Sequence, residues 1–122
     1  MELYCLDTYA FWEILKKNPK YDFILDMPFV VTNWTLIEFY KTMLRELDKE
    51  TASEVIKHLL PHRQDVDIKI LLKAIDYQHD NKKEDLSVFD CVGYIFSLEN
   101  RFSFVTGDKA FENRKGVLFV RK

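Results

Sequence analysis

Four acidic residues occupy positions where a carboxylate is unexpected, and together they suggest metal chemistry. Asp7 directly follows the apolar segment near the start of the chain, and Asp108 follows a second apolar run at 102–106. Glu38 and Asp90 are each the only charge in a stretch of large apolar residues. A carboxylate that is buried alone costs several kcal/mol unless a cation or hydrogen bonds compensate it. Four such residues in one small chain suggest a shared compensating charge.

A divalent cation would supply that charge. Oxygen ligands without Cys or His partners favour Mg²⁺ or Mn²⁺ over zinc. Such an ion lowers the pKa of a bound water and neutralises the charge that develops on a leaving oxygen. We therefore expect Asp7, Glu38, Asp90 and Asp108 to bind Mg²⁺ or Mn²⁺ and to act in catalysis.

Each acid also has an ordinary structural explanation. Asp7 could cap the helix that follows it, because Asp is a preferred N-cap residue. Glu38 and Asp90 each lie three residues after a Thr or Ser, so both could belong to capping boxes. Asp108 follows a Gly and could be a turn residue. All four explanations must hold together to dismiss a common site, and the shared position at predicted strand ends argues against that.

The rest of the chain supplies the elements that must position these acids. Apolar segments predict strands at 2–6, 29–32, 102–106 and 117–120. Apolar residues at helical spacing predict helices at 8–17, 21–25, 34–47, 51–60, 66–77 and 86–98. Strands that alternate with helices indicate a parallel sheet covered on both faces. In such sheets, functional residues gather beyond the carboxyl ends of the strands.

Several boundaries of these helices are predicted from local signals. Asn33 is a plausible N-cap for the helix at 34–47. Thr51 and Glu54 have the spacing of a capping box, which predicts the start of the next helix. The polar run 79–85 is predicted to be a solvated loop.

Length and composition favour one α/β domain over residues 1–122. The chain is 48% hydrophobic and 15% aromatic, which excludes a disordered chain, and its net charge of −2 excludes a bulk polycation. Apolar runs are too short to span a bilayer, and the first residues carry no basic segment typical of a signal peptide. We therefore expect a cytoplasmic protein in which Cys5 and Cys91 are reduced and buried.

Short motifs contain the four acids, in an order that covers nearly the whole chain. They are Leu6-Asp7-Thr8, Thr35-Leu36-Ile37-Glu38-Phe39, Leu86-Ser87-Val88-Phe89-Asp90 and Phe104-Val105-Thr106-Gly107-Asp108-Lys109-Ala110-Phe111. Their order and spacing resemble those of PIN-domain nucleases, particularly the VapC-type toxins of toxin–antitoxin systems. That resemblance implies a three-layer α/β/α domain with a central parallel sheet of about five strands.

The resemblance also implies an activity and a role for each motif residue. The activity is metal-dependent cleavage of RNA, in which activated water attacks a phosphodiester and leaves a 3′-hydroxyl and a 5′-phosphate. Asp7, Glu38 and Asp90 would be the core metal ligands, and Asp108 would be a fourth acid that acts directly or through water. Hydroxyl groups would orient the carboxylates or a water, namely those of Thr8, Ser87 and Thr106.

Other classes of protein also place acids at the end of a parallel sheet. A receiver-type phosphoacceptor domain needs adjacent acids after the first strand, but Thr8 follows Asp7 here. A haloacid-dehalogenase-type phosphatase needs Asp-x-Asp, and Tyr9 occupies the second position. The stronger alternative is a catalytically weak or inactive PIN-like module that binds RNA or protein. Ala110 stands where many relatives carry a further acid, which leaves open whether one or two ions bind.

Charge and aromatic content suggest the partners. Residues 101–122 contain six basic and two acidic residues. We expect Lys109, Arg114 and Lys115 to lie beside the acidic site and to contact RNA phosphates. The aromatic excess suggests a homodimer face, or a groove for a small antitoxin protein. The expected partners are thus an RNA substrate, an antitoxin and a second copy of the chain, without a membrane.

Overall fold

Five short strands form one parallel sheet in the computed structural model, which describes residues 3–121. The strands are β1 (Tyr4–Leu6), β2 (Phe29–Thr32), β3 (Arg63–Gln64), β4 (Ser103–Thr106) and β5 (Val117–Phe119). Their order across the sheet is β3-β2-β1-β4-β5, and every neighbouring pair is parallel. β1 therefore lies at the centre of the sheet, next to both β2 and β4.

The connections between these strands are helical. The α-helices are α1 (Thr8–Leu15), α2 (Asn33–Glu46), α3 (Lys49–Leu59), α4 (Ile68–Asp80) and α5 (Val88–Glu99). Shorter 3₁₀ segments cover Pro19–Asp26, Leu60–His62, Lys82–Glu84 and Lys109–Phe111. Among residues 3–121, none of the helices combines the length and the apolar character needed to cross a bilayer.

Alternating residues of the central strands enter two separate hydrophobic clusters. Leu6 and Val105 pack with residues of α1, α2 and α3 on one face of the sheet. Cys5 and Phe104 pack with residues of α4 and α5 on the other face. This alternation confirms the predicted three-layer α/β/α fold with a central parallel sheet. Cys5 and Cys91 are both buried and free, as expected.

The structure corrects several predicted boundaries. Asn33 is the first residue of α2, and the cap is Thr32, whose Oγ1 accepts a hydrogen bond from the backbone N–H of Thr35 at 3.0 Å. The capping box predicted at Thr51 is wrong, because α3 begins two residues earlier at Lys49. Its cap is Asp48, which accepts a hydrogen bond from the Thr51 backbone N–H at 2.8 Å.

Two further differences concern segments without a clear apolar pattern. The predicted loop 79–85 is instead partly helical, because α4 continues to Asp80 and a 3₁₀ segment follows. Strand β3 was not predicted, since both of its residues are exposed and it pairs with β2 over only two positions. The first strand begins at Tyr4, and Glu2, which belongs to the predicted segment, lies outside the described residues.

Phe111 anchors the turn that follows β4 onto the core. Its side chain is fully buried, with ring centroids 5.4 Å from Tyr94 of α5 and 5.5 Å from Phe104 of β4. The guanidinium of Arg114 lies 5.4 Å from the same ring. Because Phe111 ends the 3₁₀ turn that begins after Asp108, its packing fixes the path of the chain beside that carboxylate.

Shortening Phe111 should loosen this anchor measurably. We expect Phe111→Leu to lower the free energy of unfolding by about 1–2 kcal/mol, because the smaller side chain leaves a cavity and loses both aromatic contacts. Phe23→Leu is the matched control, since Phe23 is 39% exposed and has a single aromatic contact, with Tyr4, and it should lower stability clearly less than Phe111→Leu does. Urea unfolding curves measure both. Equal effects at the two positions would contradict the anchoring role.

Candidate active site

Asp7 lies at the carboxyl end of β1, where the chain enters α1. It is the N-cap of α1, and its Oδ1 accepts a hydrogen bond from the backbone N–H of Ala10 at 2.8 Å. The residue is only 2% exposed. The ordinary capping explanation is therefore correct for one oxygen of this carboxylate, but it does not explain why the residue is almost completely buried.

Asp108 lies beside Asp7 because the strands that precede them are neighbours. β1 and β4 pair in parallel, with Leu6 opposite Val105, and the Asp7 backbone N–H donates to the Val105 carbonyl oxygen at 3.3 Å. Asp108 caps the 3₁₀ turn that follows, and its Oδ1 accepts a hydrogen bond from Ala110 N–H at 3.0 Å. Asp108 is thus a turn residue, as its position after a glycine suggested, and it lies at the same edge of the sheet as Asp7.

Two helices bring Glu38 and Asp90 to this edge. Glu38 lies in the second turn of α2 and Asp90 in the first turn of α5. The rings of Trp34 and Phe89, at the starts of these helices, pack with their centroids 5.7 Å apart. The capping-box explanation for Glu38 is wrong, because Thr35 lies inside α2 and does not cap it.

Hydroxyl side chains hydrogen-bond to two of these acidic residues, Glu38 and Asp90. Thr8 Oγ1 donates to Glu38 Oε1 at 2.6 Å, which joins α1 to α2. Ser87 caps α5 and accepts a hydrogen bond from the backbone N–H of Asp90 at 3.0 Å, as half of the capping box considered for Asp90. The structure thus brings all the predicted carboxylates and hydroxyls to this edge of the sheet. They are Asp7, Glu38, Asp90, Asp108, Thr8, Ser87 and Thr106.

Thr106 links the two strand-end acids. Its Oγ1 accepts a hydrogen bond from the backbone N–H of Asp108 at 3.0 Å. Burial raises the pKa of Asp7, and a hydrogen bond between the Thr106 side chain and the Asp7 carboxylate opposes part of that rise. The last residue of β4 therefore orients both acids at once.

The carboxylates act on one another electrostatically. Burial is the largest cause that raises the pKa of Asp7 well above its ordinary value, and the charges of Asp90 and Asp108 raise it further. Burial likewise raises the pKa of Asp90 to about 7, with further contributions from Glu38 and Asp108. All four acids thus belong to one interacting group, in which the neighbouring negative charges disfavour ionisation of Asp7 and Asp90.

The donor set suits a hard divalent cation, although its side chains do not converge on one point. Carboxylate and hydroxyl oxygens are the ligands that Mg²⁺ and Mn²⁺ prefer. Within residues 3–121, no group of three or more His, Cys, Asp and Glu side chains is arranged as a formed metal site. Glu38 is held by Thr8, and Asp7 and Asp108 are held by backbone N–H groups. Binding an ion would therefore require some of these side chains to rotate.

The three predicted RNA-contacting bases lie in different surroundings. Lys109 is exposed and directly follows Asp108. Arg114 forms an ion pair with Glu84 at 2.7 Å and donates hydrogen bonds to Tyr77 Oη and, at 2.9 Å, to the Ala110 carbonyl oxygen. Its guanidinium is therefore committed to the fold rather than free for a phosphate.

Lys115 lies towards the opposite edge of the sheet. It precedes β5, and the carbonyl oxygen of the next residue, Gly116, accepts a hydrogen bond from Phe104 N–H near the start of β4. The acids lie beyond the carboxyl ends of the strands, whereas Lys115 lies before the amino end of β5. Of the three bases, Lys109 is the one beside the acidic group.

A groove beside Asp108 includes two aromatic residues, Tyr9 and Phe119, that were not among the predicted site residues. It has a volume of about 810 Å³ and is lined by Tyr9, Gly107, Asp108, Lys109, Glu112, Phe119 and Arg121. The only sequence signal for Tyr9 and Phe119 is their position. Tyr9 is two residues after Asp7, and Phe119 is near the end of the last predicted strand. Neither belongs to one of the four motifs that contain the acids.

The geometry thus defines a class: a parallel α/β domain with interacting carboxylates at the carboxyl edge of its sheet. No protein-family model and no curated protein sequence matches the chain. Solved structures do match it in fold. The VapC20 toxin of Mycobacterium tuberculosis, described as cleaving the sarcin–ricin loop, aligns with a TM-score of 0.81 at 14% identity, covering 98% of this chain and 99% of that one.

Two toxin–antitoxin structures match in the same way. A complex from Klebsiella pneumoniae gives a TM-score of 0.74 at 13% identity, covering 100% of this chain and 99% of the other. The DNA-bound VapBC complex from Salmonella typhimurium gives 0.74 at 17% identity, covering 98% and 97%. The chain therefore has the fold of the VapC-type PIN-domain toxins, which confirms the fold expected from the sequence motifs.

The electrostatic coupling predicts that removing one acid stabilises the metal-free protein. In EDTA at pH 8, we expect Asp90→Asn to raise the free energy of unfolding by on the order of 2 kcal/mol. The folded-state pKa of Asp90 is about 7, above its ordinary value of 3.8. The native protein therefore loses stability as the pH rises from about 4 to about 7, and the advantage of the variant should vanish near pH 4.

Thermal or urea unfolding across this pH range measures the effect. Asp26→Asn is a suitable control, because Asp26 is an exposed aspartate in the 3₁₀ segment Pro19–Asp26, and it should give no such stabilisation. An Asp90→Asn variant that is less stable than the native protein at pH 8 would show that the carboxylate is compensated in a way the structure does not contain.

Proposed function

We propose that the protein is a metal-dependent endoribonuclease and the toxin of a toxin–antitoxin pair. The observation that carries this proposal is the group of four interacting carboxylates, supplied by β1, α2, α5 and the turn after β4, at the carboxyl edge of a VapC-like fold. The fold neighbour from M. tuberculosis, which is described as cleaving the sarcin–ricin loop, supports RNA as the substrate class.

Asp7, Glu38 and Asp90 would hold Mg²⁺ or Mn²⁺, and Asp108 would act as a fourth acid directly or through water. When bound, such an ion would activate a water for attack on a phosphodiester and neutralise charge on the leaving 3′ oxygen. The residues of this chain prepare the site. Asp7 is almost completely buried, and the nearby hydroxyls of Thr8, Ser87 and Thr106 orient the carboxylates.

A PIN-like module that binds RNA or protein without cutting it is the alternative. The feature that favours catalysis over this alternative is the folding stability that the clustered acids cost the protein. Asp7 and Asp90 have raised pKa values because they are buried close to other acids. A module that only binds would gain stability by replacing either residue, and RNA phosphates would be repelled less.

Cleavage of RNA tests the proposal directly. The native protein should cut RNA with Mg²⁺ or Mn²⁺ and should not cut it in EDTA. Asp7→Asn and Asp90→Asn should each lower the rate by at least about 100-fold, because each removes a proposed ligand charge. Asp26→Asn, at an exposed position in the 3₁₀ segment Pro19–Asp26, should cut normally.

Gel analysis of end-labelled RNA measures these rates and identifies the ends as 3′-hydroxyl and 5′-phosphate. Cleavage that persists in EDTA or in both acid variants would refute the assignment. RNA binding without any cleavage under these conditions would favour the alternative module. Growth arrest on expression, relieved by Asp90→Asn, would distinguish a toxin from a housekeeping nuclease.

We infer that the antitoxin binds an apolar groove between α2 and α3. The groove has a volume of about 290 Å³, and its lining residues are Asn33, Leu36, Ile37, Tyr40, Ile56, Leu60 and Arg63. Ile37 is 60% exposed at the rim of this groove and directly precedes Glu38. An amphipathic helix or strand of a small protein can bury such a surface.

We infer a homodimer from a second surface, the exposed stripe of α4. Ile68, Leu72 and Ile75 recur at helical spacing and are 65%, 59% and 47% exposed. Lys69 and Asp76 flank the stripe on one side, and both are exposed. In an antiparallel pairing about a two-fold axis, Leu72 would meet its copy and Lys69 would lie beside Asp76 of the partner subunit. The stripe is therefore apolar along its centre and complementary to itself in charge.

A charge in the middle of this stripe should separate the dimer. We expect Leu72→Glu to yield monomers at micromolar concentration, because two like charges would face each other at the two-fold axis. Leu25→Glu is the matched control, since Leu25 is similarly exposed, at 65% against 59% for Leu72, but lies in the 3₁₀ segment Pro19–Asp26 rather than in α4. Sedimentation velocity measures the mass. A native protein that is monomeric throughout, or a Leu72→Glu dimer, would refute this interface.

A further inference from the structure

The groove beside Asp108 has the features of a site for one nucleotide of a single-stranded RNA. It opens at the carboxyl edge of the sheet, and Asp108 belongs both to its lining and to the group of interacting acids. A chain that crosses the acids at this point would therefore continue into the groove. Two aromatic side chains, Tyr9 and Phe119, lie in its wall.

Phe119 is not required by the core. The neighbouring residues Leu118 and Val120 pack against the cluster formed with α1, α2 and α3, and Val117 packs against the other cluster. Phe119 belongs to neither cluster and is half-buried in the groove wall. A large aromatic residue at the end of an edge strand, with its side chain outside the core, provides a flat surface on which a base can stack.

Tyr9 is held in place by a glycine. A Cβ atom on Gly107 would lie 2.7 Å from Tyr21 Oη and closer still to the ring of Tyr9. The Tyr9 ring thus packs directly on the backbone of Gly107, where any other residue would displace it. Tyr21 Oη also donates to the Val120 carbonyl oxygen at 2.8 Å, which fixes the segment that carries Phe119. Both aromatic walls are therefore preorganised before a ligand arrives.

The charged residues of the groove suit a phosphate at its rim. Lys109 is exposed and has no ion-pair partner among residues 3–121. Arg121 forms an ion pair with Glu112 at 3.0 Å, with its side chain 77% exposed. An exposed pair of this kind contributes little stability, so the guanidinium can turn to a phosphate at small cost. Asp108 and Glu112 also line the groove and repel phosphate. The groove therefore suits a ligand that places an uncharged base inside it and its phosphates at the rim.

We propose that Tyr9 and Phe119 bind an unpaired base of the RNA next to the cleaved phosphodiester, while Lys109 and Arg121 contact the adjoining phosphates. This deepens the ribonuclease function proposed above and rests on it for the identity of the substrate. Stacking requires a base that is not already stacked in a duplex, so the groove selects single-stranded segments or loops over paired RNA.

Binding without cleavage tests the groove separately from the activity. The probe is a fluorescein-labelled, unstructured RNA of about 10 nucleotides, within the ~4–16 nucleotides that single-strand sites cover. Fluorescence anisotropy is recorded in EDTA with the Asp90→Asn protein as the background. Added to that background, Phe119→Ala should raise Kd about 5- to 100-fold, as expected for the loss of one base–aromatic stack, and Phe119→Trp should restore binding. Lys109→Gln should reduce the slope of log Kd against log salt concentration by about one.

Phe23→Ala is the matched control, because Phe23 is a partly exposed aromatic residue that does not line the groove. It should bind RNA like the background protein, and circular dichroism should show all variants folded. The same RNA annealed to its complement should bind more weakly and should not respond to Phe119→Ala. An unchanged Kd for Phe119→Ala, or an equal loss for Phe23→Ala, would overturn the groove even if acid-dependent cleavage is observed. If Phe119→Ala weakens RNA binding but the native protein does not cleave RNA with Mg²⁺ or Mn²⁺, the groove would be upheld and the nuclease refuted.

Discussion

Mutual repulsion among four partly buried carboxylates is the constraint on which the rest of this structure depends. Burial and neighbouring acids raise the pKa values of Asp7 and Asp90, and each of the charges that acts on them within this group is negative. Such an arrangement is unfavourable unless other elements hold it together. The two hydrophobic clusters supply that stabilisation, because they fix β1, β4, α2 and α5 from both faces of the sheet.

Local backbone geometry reduces the cost of this arrangement. Three of the four acids lie at the start of a helical segment: Asp7 caps α1, Asp90 is in the first turn of α5, and Asp108 caps a 3₁₀ turn. Unpaired N–H groups and the positive end of the helix dipole favour a carboxylate there. Glu38 lies further along its helix, and it has the Thr8 hydroxyl instead. Each acid thus has a donor that comes from its own segment or from the adjacent helix.

Much of this arrangement could be predicted from the sequence because it depends on neighbouring residues. An apolar strand followed at once by Asp7, and a second one followed by Asp108, place both carboxylates at one edge of any parallel sheet in which the strands are neighbours. The two helices that carry Glu38 and Asp90 are likewise predicted from apolar periodicity. The site residues could therefore be named in advance, although their function as ligands is still a prediction.

What the sequence did not predict depends on contacts between distant segments. Strand β3 has two exposed residues, and only its pairing with β2 defines it. Arg114 looked like a free base near the acidic site, but its guanidinium is committed to Glu84 and Tyr77, whose positions the sequence does not relate to it. Lys115 looked equally close, yet the direction of β5 places it towards the other edge of the sheet. Local charge patterns cannot distinguish these cases.

The structural and functional explanations for the acids are not alternatives. At Asp7, one carboxylate oxygen accepts the capping hydrogen bond from Ala10, and this bond holds the carboxylate in the interior near Asp90. Capping needs a side-chain oxygen but no charge, and Asn caps a helix about as well as Asp does. An Asn at this position would keep the helix and lose the repulsion. A neutral cap would therefore be the more stable choice for folding alone, so the ionisable carboxylate is best explained by the chemistry that its charge allows.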